Sequence, residues 1–234
     1  YPIVYLKLTK KPTVVFETKN GTKIMLRVDS TDLMALTHVW LIKEYAKHEI
    51  EINKTDTVID VGAHIGLFSL LASQYCTDGK IYAFEPIKEN YKILESNVQL
   101  NNLSNIKTEN CAISKSNSKI TIYQSDDESG HSKFIQTDNP IEVTSKSLND
   151  FFKEKDLKKC NLLKLDCEGS EYEIIEGLED SNFEKIEKMI IEYHLAYTNP
   201  EMLENLKNRL KLFSYEISID PLFKDIGFLY AVKK

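Results

Sequence analysis

The chain has only four cysteines, Cys76, Cys111, Cys160 and Cys167, and no C-x-x-C pair among them. That excludes a zinc knuckle and a disulfide framework and leaves buried thiols of a reducing compartment as the reading. No run approaches the roughly 18 consecutive apolar residues of a membrane helix, and no signal peptide is visible. No transmembrane segment and a cytoplasmic location are therefore expected. A first residue Tyr1 in place of Met leaves room for residues ahead of it. Basic charge is also short. Thirty Lys and Arg against 36 Asp and Glu give a net charge of -6, the wrong sign for a dedicated nucleic-acid binder. Internal repeats and low-complexity linkers are missing too. What is present is ordinary globular composition, 42% hydrophobic and 28% charged, in 234 residues. That suffices for one domain with a large core.

Along the chain, residues 13–28 are two β-rich runs around Asn20-Gly21, a two-residue hairpin signal. Residues 31–49 read as helix, and residues 1–50 together as a hairpin-and-helix cap. From Thr57 the pattern turns into strand, helix, strand, helix, strand: 57–61, a stripe from Leu67, 80–85, a stripe from Ile87 to Val98, and 105–111. Such a βαβαβ unit implies a parallel sheet with right-handed crossovers. Residues 115–147 break the rhythm with short β-like runs at 120–123, 134–135 and 141–144 around a polar stretch, Asp126–Ser132. A β-rich insertion over the sheet is expected there. Strands at 161–165 and 187–193, helices at 148–155, 172–178 and from Asn199-Pro200 onward, and a closing antiparallel pair at 215–219 and 227–232 complete a core over 57–234.

Two places suit a nucleoside. Asp60-Val61-Gly62-Ala63-His64-Ile65-Gly66 links the first core strand to its helix, where glycine permits close backbone approach and the helix offers free N–H groups. Its glycines are four apart, so it is not the G-x-G-x-x-G of a dinucleotide site, and Asp60 would repel a diphosphate. This counts against an NAD-dependent oxidoreductase. Glu85 ends the next strand, 19 residues after Gly66, and can accept both hydroxyls of a ribose. A glycine turn with a spaced acid and no diphosphate pocket points to S-adenosylmethionine (SAM).

DVGAHIG, then FEP, then LLKLDCEGSEYEIIEGL at 162–178 and IIEYH at 190–194 resemble the FkbM-type methyltransferases. The resemblance covers roughly residues 40–234, with His64 where the family usually has Asn. It implies an α/β fold: a Rossmann-like class I methyltransferase with a mostly parallel seven-stranded sheet whose last strand is antiparallel. The activity it implies is SAM-dependent O-methylation of a hydroxyl on a glycan, glycolipid or natural product. By that similarity Asp60, Gly62, Ala63, His64 and Gly66 would line the methionine part of the cofactor, Glu85 and Pro86 the ribose, and Asn110 to Ala112 the adenine. Glu44 would close over it.

The reaction is expected beyond the fourth and fifth core strands, at Asp166, Glu168 and His194. Asp166 and Glu168 share parity, as do Glu192 and His194, so either pair could face one crevice if extended. A neutral hydroxyl is a poor nucleophile, and an imidazole of ordinary pKa is the simplest base at neutral pH. His194 is therefore the expected base, with Asp166 and Glu168 positioning the acceptor or the ring. The competing reading makes Asp166, Glu168 and His194 ligands of Mg²⁺ or Mn²⁺; a metal-free site is the first expectation. Ser129–Ser132, with His131, suggests a lid or a solvated turn, and Trp40 a core anchor. Two further alternatives stay open: a non-catalytic SAM-binding module, and a methyltransferase acting on a protein.

Overall fold

A computed structural model describes residues 10–48, 50–123 and 138–234. The expected runs at Asp126–Ser132 and 134–135, with His131, lie outside the described residues. Seven strands form the main sheet: β3 (Thr57–Val61), β4 (Lys80–Phe84), β5 (Ile106–Glu109), β9 (Leu162–Leu165), β10 (Lys188–Tyr193), β11 (Tyr215–Pro221) and β12 (Gly227–Lys233). Their order is β11-β12-β10-β9-β3-β4-β5. β3, β4, β5, β9 and β10 run parallel, and β12 runs antiparallel to both β10 and β11. The mostly parallel sheet with an antiparallel strand near its end is the expected one. The central strands are apolar almost throughout because helices cover both faces.

One face carries Ile59, Val61, Leu163, Leu165, Met189 and Ile191. It packs on α4 (Leu148–Glu154), α5 (Glu171–Gly177) and α7 (Pro200–Leu212), with the short α6 (Asp180–Phe183) beside them. The other face carries Val58, Leu162 and Ile190 under α2 (Leu67–Ser73), α3 (Lys88–Leu100) and the N-terminal elements. Side chains alternate between faces, so Asp60, Lys164 and Glu192 share the second face with Val58, Leu162 and Ile190. Each is a polar residue in an apolar strand.

The N-terminal cap is present, with two corrections. β1 (Thr13–Glu17) and β2 (Lys23–Arg27) pair antiparallel, but the loop is not a two-residue turn. Thr18 N–H donates to Thr22 O, Gly21 N–H donates to Thr18 O, and Gly21 has φ +85°. That is a three-residue loop with glycine in the left-handed position. The expected helix over 31–49 is shorter and widens: α1 (Asp32–Leu36) runs on as a π-helical segment, Thr37–Ile42, and stops at Lys43 with φ 59°. The Thr37 hydroxyl donates back to Leu33 O at 2.9 Å, a local competitor of the regular helix ladder. Asn97 of α3 ties the cap down, accepting from Met25 N–H at 2.6 Å and donating to Ile65 O at 2.9 Å. Trp40, expected as an anchor, donates its indole N–H to Leu67 O at 3.2 Å.

The insertion is β-rich as expected. β6 (Ala112–Ser114), β7 (Ser118–Tyr123) and β8 (Pro140–Ser147) form a separate sheet in the order β6-β8-β7. The third core strand therefore ends at Glu109, and Ala112 belongs to the small sheet instead.

Candidate active site

A cavity of about 490 Å³ opens at the carboxyl ends of β3, β4, β9 and β10, roofed by α1, β7 and the loop between β11 and β12. Its floor is the glycine turn. Gly62 and Ala63 N–H groups both donate to Phe84 O, at 3.1 and 2.9 Å, and Gly62 has φ +73°. A Cβ on Gly62 would stand 1.7 Å from Asp166 O, so two strand-end turns meet there with room for a hydrogen only.

Glu85 lies behind this turn, 4% exposed. Its Oε2 accepts from His64 N–H and its Oε1 from Ile87 N–H, both at 2.8 Å. These two backbone bonds, with the Asn90 side chain as a further partner, hold the carboxylate plane fixed. Burial pushes the carboxyl up, against the pull of those N–H groups, to about 7. Asn90, 3% exposed, borders the same cavity, and its Oδ1 has no hydrogen-bond partner. A ligand presenting hydroxyls there would satisfy both residues.

At the other end is a polar seam. Lys164 Nζ stands 3.2 Å from Asp60 Oδ1, 3.3 Å from Asp166 Oδ2 and 2.8 Å from Gly62 O. Burial disfavours its charge, but Asp60 and Asp166 outweigh burial and hold the amine well above its usual range. Lys164 in turn keeps Asp166 ionised below the usual carboxylate range despite burial. The Tyr45 phenol donates to Asp166 Oδ2 at 3.1 Å and approaches Glu192 Oε2 at 3.5 Å. Burial and the Asp166 charge push Glu192 well up. His194, 5% exposed, has Nδ1 2.7 Å from Glu171 Oε1 and Nε2 3.4 Å from Glu168 Oε2. Tyr172 donates its hydroxyl to His194 O.

That setting bears on the role expected of His194. Burial lowers its pKa, but Glu171, then Glu168 and Asp166, carry it to about 10, so at neutral pH the ring already holds its proton. A charged imidazole is not a base. Nor do Asp166 and Glu168 extend along one face: Glu168 has φ 53° and turns away from strand geometry. The carboxylate that converges on Asp166 and His194 is Glu192, with one ligand-type atom from each of the three within 4.8 Å of the others.

Of the expected residues, Gly62, Ala63, His64, Glu85, Pro86, Ala112, Glu44, Asp166, Glu168 and His194 line the cavity. Asp60, Gly66 and Asn110 do not. Asp60 is fully buried, bonded by the Ser69 hydroxyl at 2.7 Å and paired with Lys164. Gly66, with φ +88°, begins α2. Asn110 donates to the Glu85 and Pro86 carbonyls at 2.8 and 3.1 Å, steadying the acid from outside. His64 contributes its backbone to Glu85, while its ring Nε2 meets Arg27 Nη2 at 3.2 Å. Burial and the neighbouring Arg27, only partly offset by Asp32, take that imidazole down to about 4. It is neutral, so Nε2 accepts from the guanidinium and the Asp32 approach at 3.6 Å is no ion pair. Tyr45, Lys164 and Asn90 were not anticipated. Lys164 alone had a clear sequence signal, a lysine inside the apolar run NLLKL.

The sheet order, the cavity at the strand ends and the glycine turn define a class I methyltransferase fold. The methyltransferase FkbM domain model matches residues 60–215, and the chain belongs to that family. One relative, methyltransferase 1 of Beauveria bassiana (strain ARSEF 2860), is 27% identical over 157 residues, covering 58% of this chain and 63% of its own. The 31-O-demethyl-FK506 methyltransferase FkbM of Streptomyces tacrolimicus is 25% identical, over 64% of this chain and 70% of its own. The chain thus spans under two thirds of the first of these relatives. The crystal structure of a methyltransferase FkbM from Methylobacillus flagellatus KT superposes with a TM-score of 0.56 at 16% identity, over 78% of this chain and 45% of that one. That likeness concerns the fold. Among the described residues, no helix is long and apolar enough to cross a membrane.

Proposed function

We propose that this chain is a single SAM-dependent O-methyltransferase domain acting on a hydroxyl of a glycan, glycolipid or natural product. The observation that carries the reading is the ribose-type end of the cavity. There a buried carboxylate fixed by two N–H groups lies by an unpartnered amide oxygen, next to a turn with no space for a Cβ. Glu85 would take the ribose hydroxyls, Gly62, Ala63 and His64 the methionine part, and Pro86 and Ala112 the adenine side, with Glu44 at the rim. When bound, SAM supplies a methyl group on a positively charged sulfur. The cavity would hold the acceptor oxygen in line with that methyl group, with the Asp166 carboxylate beside the hydroxyl proton.

This chain's own residues position the acceptor. Asp166, ionised beside Lys164, accepts its hydrogen bond, and Glu192 and His194 flank it. The carboxylates also favour the approach of a positively charged sulfur centre over an anionic one. An oxygen acceptor is supported by the Streptomyces relative, named for a 31-O-demethyl compound. Apolar residues lining the cavity, Met34, Ile120, Ile122 and Phe223, suit an acceptor with an apolar scaffold.

Calorimetric titration with S-adenosylhomocysteine (SAH), SAM and NAD⁺ tests the reading. Micromolar binding of the two sulfur nucleosides, lost in Glu85→Ala, is expected. Tighter binding of NAD⁺, or no binding of either nucleoside, would overturn it.

A further inference from the structure

We propose that Asp166, Glu192 and His194 form a divalent-cation site at the acceptor end of the cavity. The inference rests on the methyl-transfer reading only for its use, not for its geometry. Asp166 follows β9 and Glu192 and His194 come from the end of β10, the adjacent parallel strand, so rigid elements bring three donors to one point. Their donor atoms lie within 4.8 Å of one another. Ligands about 2.1 Å from a small divalent ion stand at most about 4.2 Å apart. Three donors within 4.8 Å of one another lie at most about 2.8 Å from a common centre, so the cluster closes on an ion by side-chain movements of up to about 0.7 Å.

The histidine supplies a second, independent observation. His194 is 5% exposed, and its Nδ1 is engaged by Glu171 Oε1 at 2.7 Å. Its Nε2 has an ion-pair approach to Glu168 Oε2 at 3.4 Å. Glu171 is fully buried, accepts also from Cys167 N–H at 3.3 Å, and leaves its Oε2 without a partner. A buried carboxylate that fixes a histidine through one nitrogen and leaves the other for an ion is the usual outer-shell arrangement of a metal-bound imidazole. Two carboxylates and one imidazole, once the ion takes the place of the proton on its free nitrogen, suit Mn²⁺, which accepts oxygen and nitrogen together, and Mg²⁺ through its oxygen preference.

Such an ion would offset the repulsion between Asp166 and Glu192. It would also draw the acceptor hydroxyl to the cluster and make it more acidic. In the transfer itself the oxygen–carbon bond forms, the carbon–sulfur bond breaks with its electron pair going to sulfur, and the hydroxyl proton passes to a carboxylate and then to water.

The test uses the whole chain, stripped with EDTA and titrated with MnCl₂ while free Mn²⁺ is read by electron paramagnetic resonance. One Mn²⁺ per chain is expected. Asp166→Asn and Glu192→Gln should each abolish binding, and Glu192→Asp should weaken it. Glu171→Gln should lower affinity about 10–100-fold as an outer-shell partner. Glu168→Gln should keep affinity within about threefold, well short of that outer-shell range. Circular dichroism and SAH affinity report on folding in every variant. No stoichiometric Mn²⁺ on the folded wild type overturns the proposal. So does wild-type affinity in a folded Glu192→Gln, or a loss confined to Glu168→Gln. Mn²⁺ binding without SAH binding would leave the cation site standing and remove the methyl-transfer reading.

Discussion

If Glu85 holds a ribose, cofactor affinity must follow its charge. The carboxyl is held up to about 7 because burial costs its ionised form more than the Ile87 and His64 N–H groups, the Asn90 side chain and the Lys164 charge return. Both oxygens must accept from the incoming hydroxyls as well as from His64 and Ile87, which a neutral carboxyl does less well. The ionised fraction falls about tenfold per pH unit below 7, so at pH 5 about one site in a hundred is competent. SAH should then bind about 100-fold more weakly at pH 5 than at pH 8, about 2.7 kcal/mol. The sign comes from the folded value lying above the unfolded 4.5. The ligand-free native state grips this proton more tightly, so its own stability falls as pH rises from 4.5 through about 7, while affinity rises over the upper part of that range. Calorimetry at pH 5, 6, 7 and 8 gives the slope. Glu85→Gln should bind weakly at every pH and show no slope. A flat wild-type profile, or the same slope in Glu85→Gln, would refute the reasoning, because the titrating group would then be elsewhere.

Other substitutions separate backbone from charge. Gly62→Ala drives a methyl into Asp166 O at 1.7 Å from a left-handed φ, and should cost about 3–5 kcal/mol in urea unfolding. Gly66→Ala meets only the Leu94 Cδ1 at 2.5 Å, a side chain that can move, and should cost about 1–2 kcal/mol. Equal losses would contradict the packing difference. Lys164→Met leaves the buried Asp60 and the partly exposed Asp166 without their counter-charge and should destabilise by about 3–5 kcal/mol, most of it from Asp60. A loss under about 1 kcal/mol would mean the pair is hydrated. In EDTA-treated protein, imidazole nitrogen resonances of His194 should report a charged ring at pH 8 that loses its proton near pH 10. The stability from that ion cluster is complete below the unfolded value of 6.5 and fades as pH climbs through about 10. An ordinary midpoint near 6.5 would restore His194 as a neutral-pH base.

The parallel core was legible because buried strands announce themselves as short apolar runs and their turns as glycine or Asn-Asn. Thr57–Val61 is found at its expected bounds, and the other core strands agree within two residues at each end. The glycine turn and Glu85 were legible for the same reason, since the end of a strand fixes where the next turn stands. The acceptor end was not. Parity placed Asp166 and Glu168 together only if the chain stayed extended, and the left-handed Glu168 and Gly169 end that alternation. Parity on β10 did hold, which is why Glu192 takes the place expected of Glu168. The charge state of His194 depends on Glu171, 23 residues away, and no local pattern reports such a contact.

The family match begins at residue 60, yet the cavity is not complete from there on. Tyr45, wedged between the Phe68 and Phe228 rings at 5.1 and 5.4 Å, is what lays a phenol on Asp166 and Glu192. It reaches them because the helix before it widens and then stops at the left-handed Lys43, and because Tyr230 fixes the Glu44 carbonyl at 2.7 Å. On the other side, Asp32 of α1 holds the Arg27 guanidinium through Oδ1 and Oδ2 at 2.7 and 3.0 Å, and Arg27 meets the His64 ring. The same His64 gives its N–H to Glu85. The N-terminal hairpin and helix therefore touch both ends of the cavity, the ribose-type end through Arg27 and His64 and the acceptor end through Tyr45. A segment with these contacts is a wall of the site, and its sequence constrains the site as much as the glycine turn does.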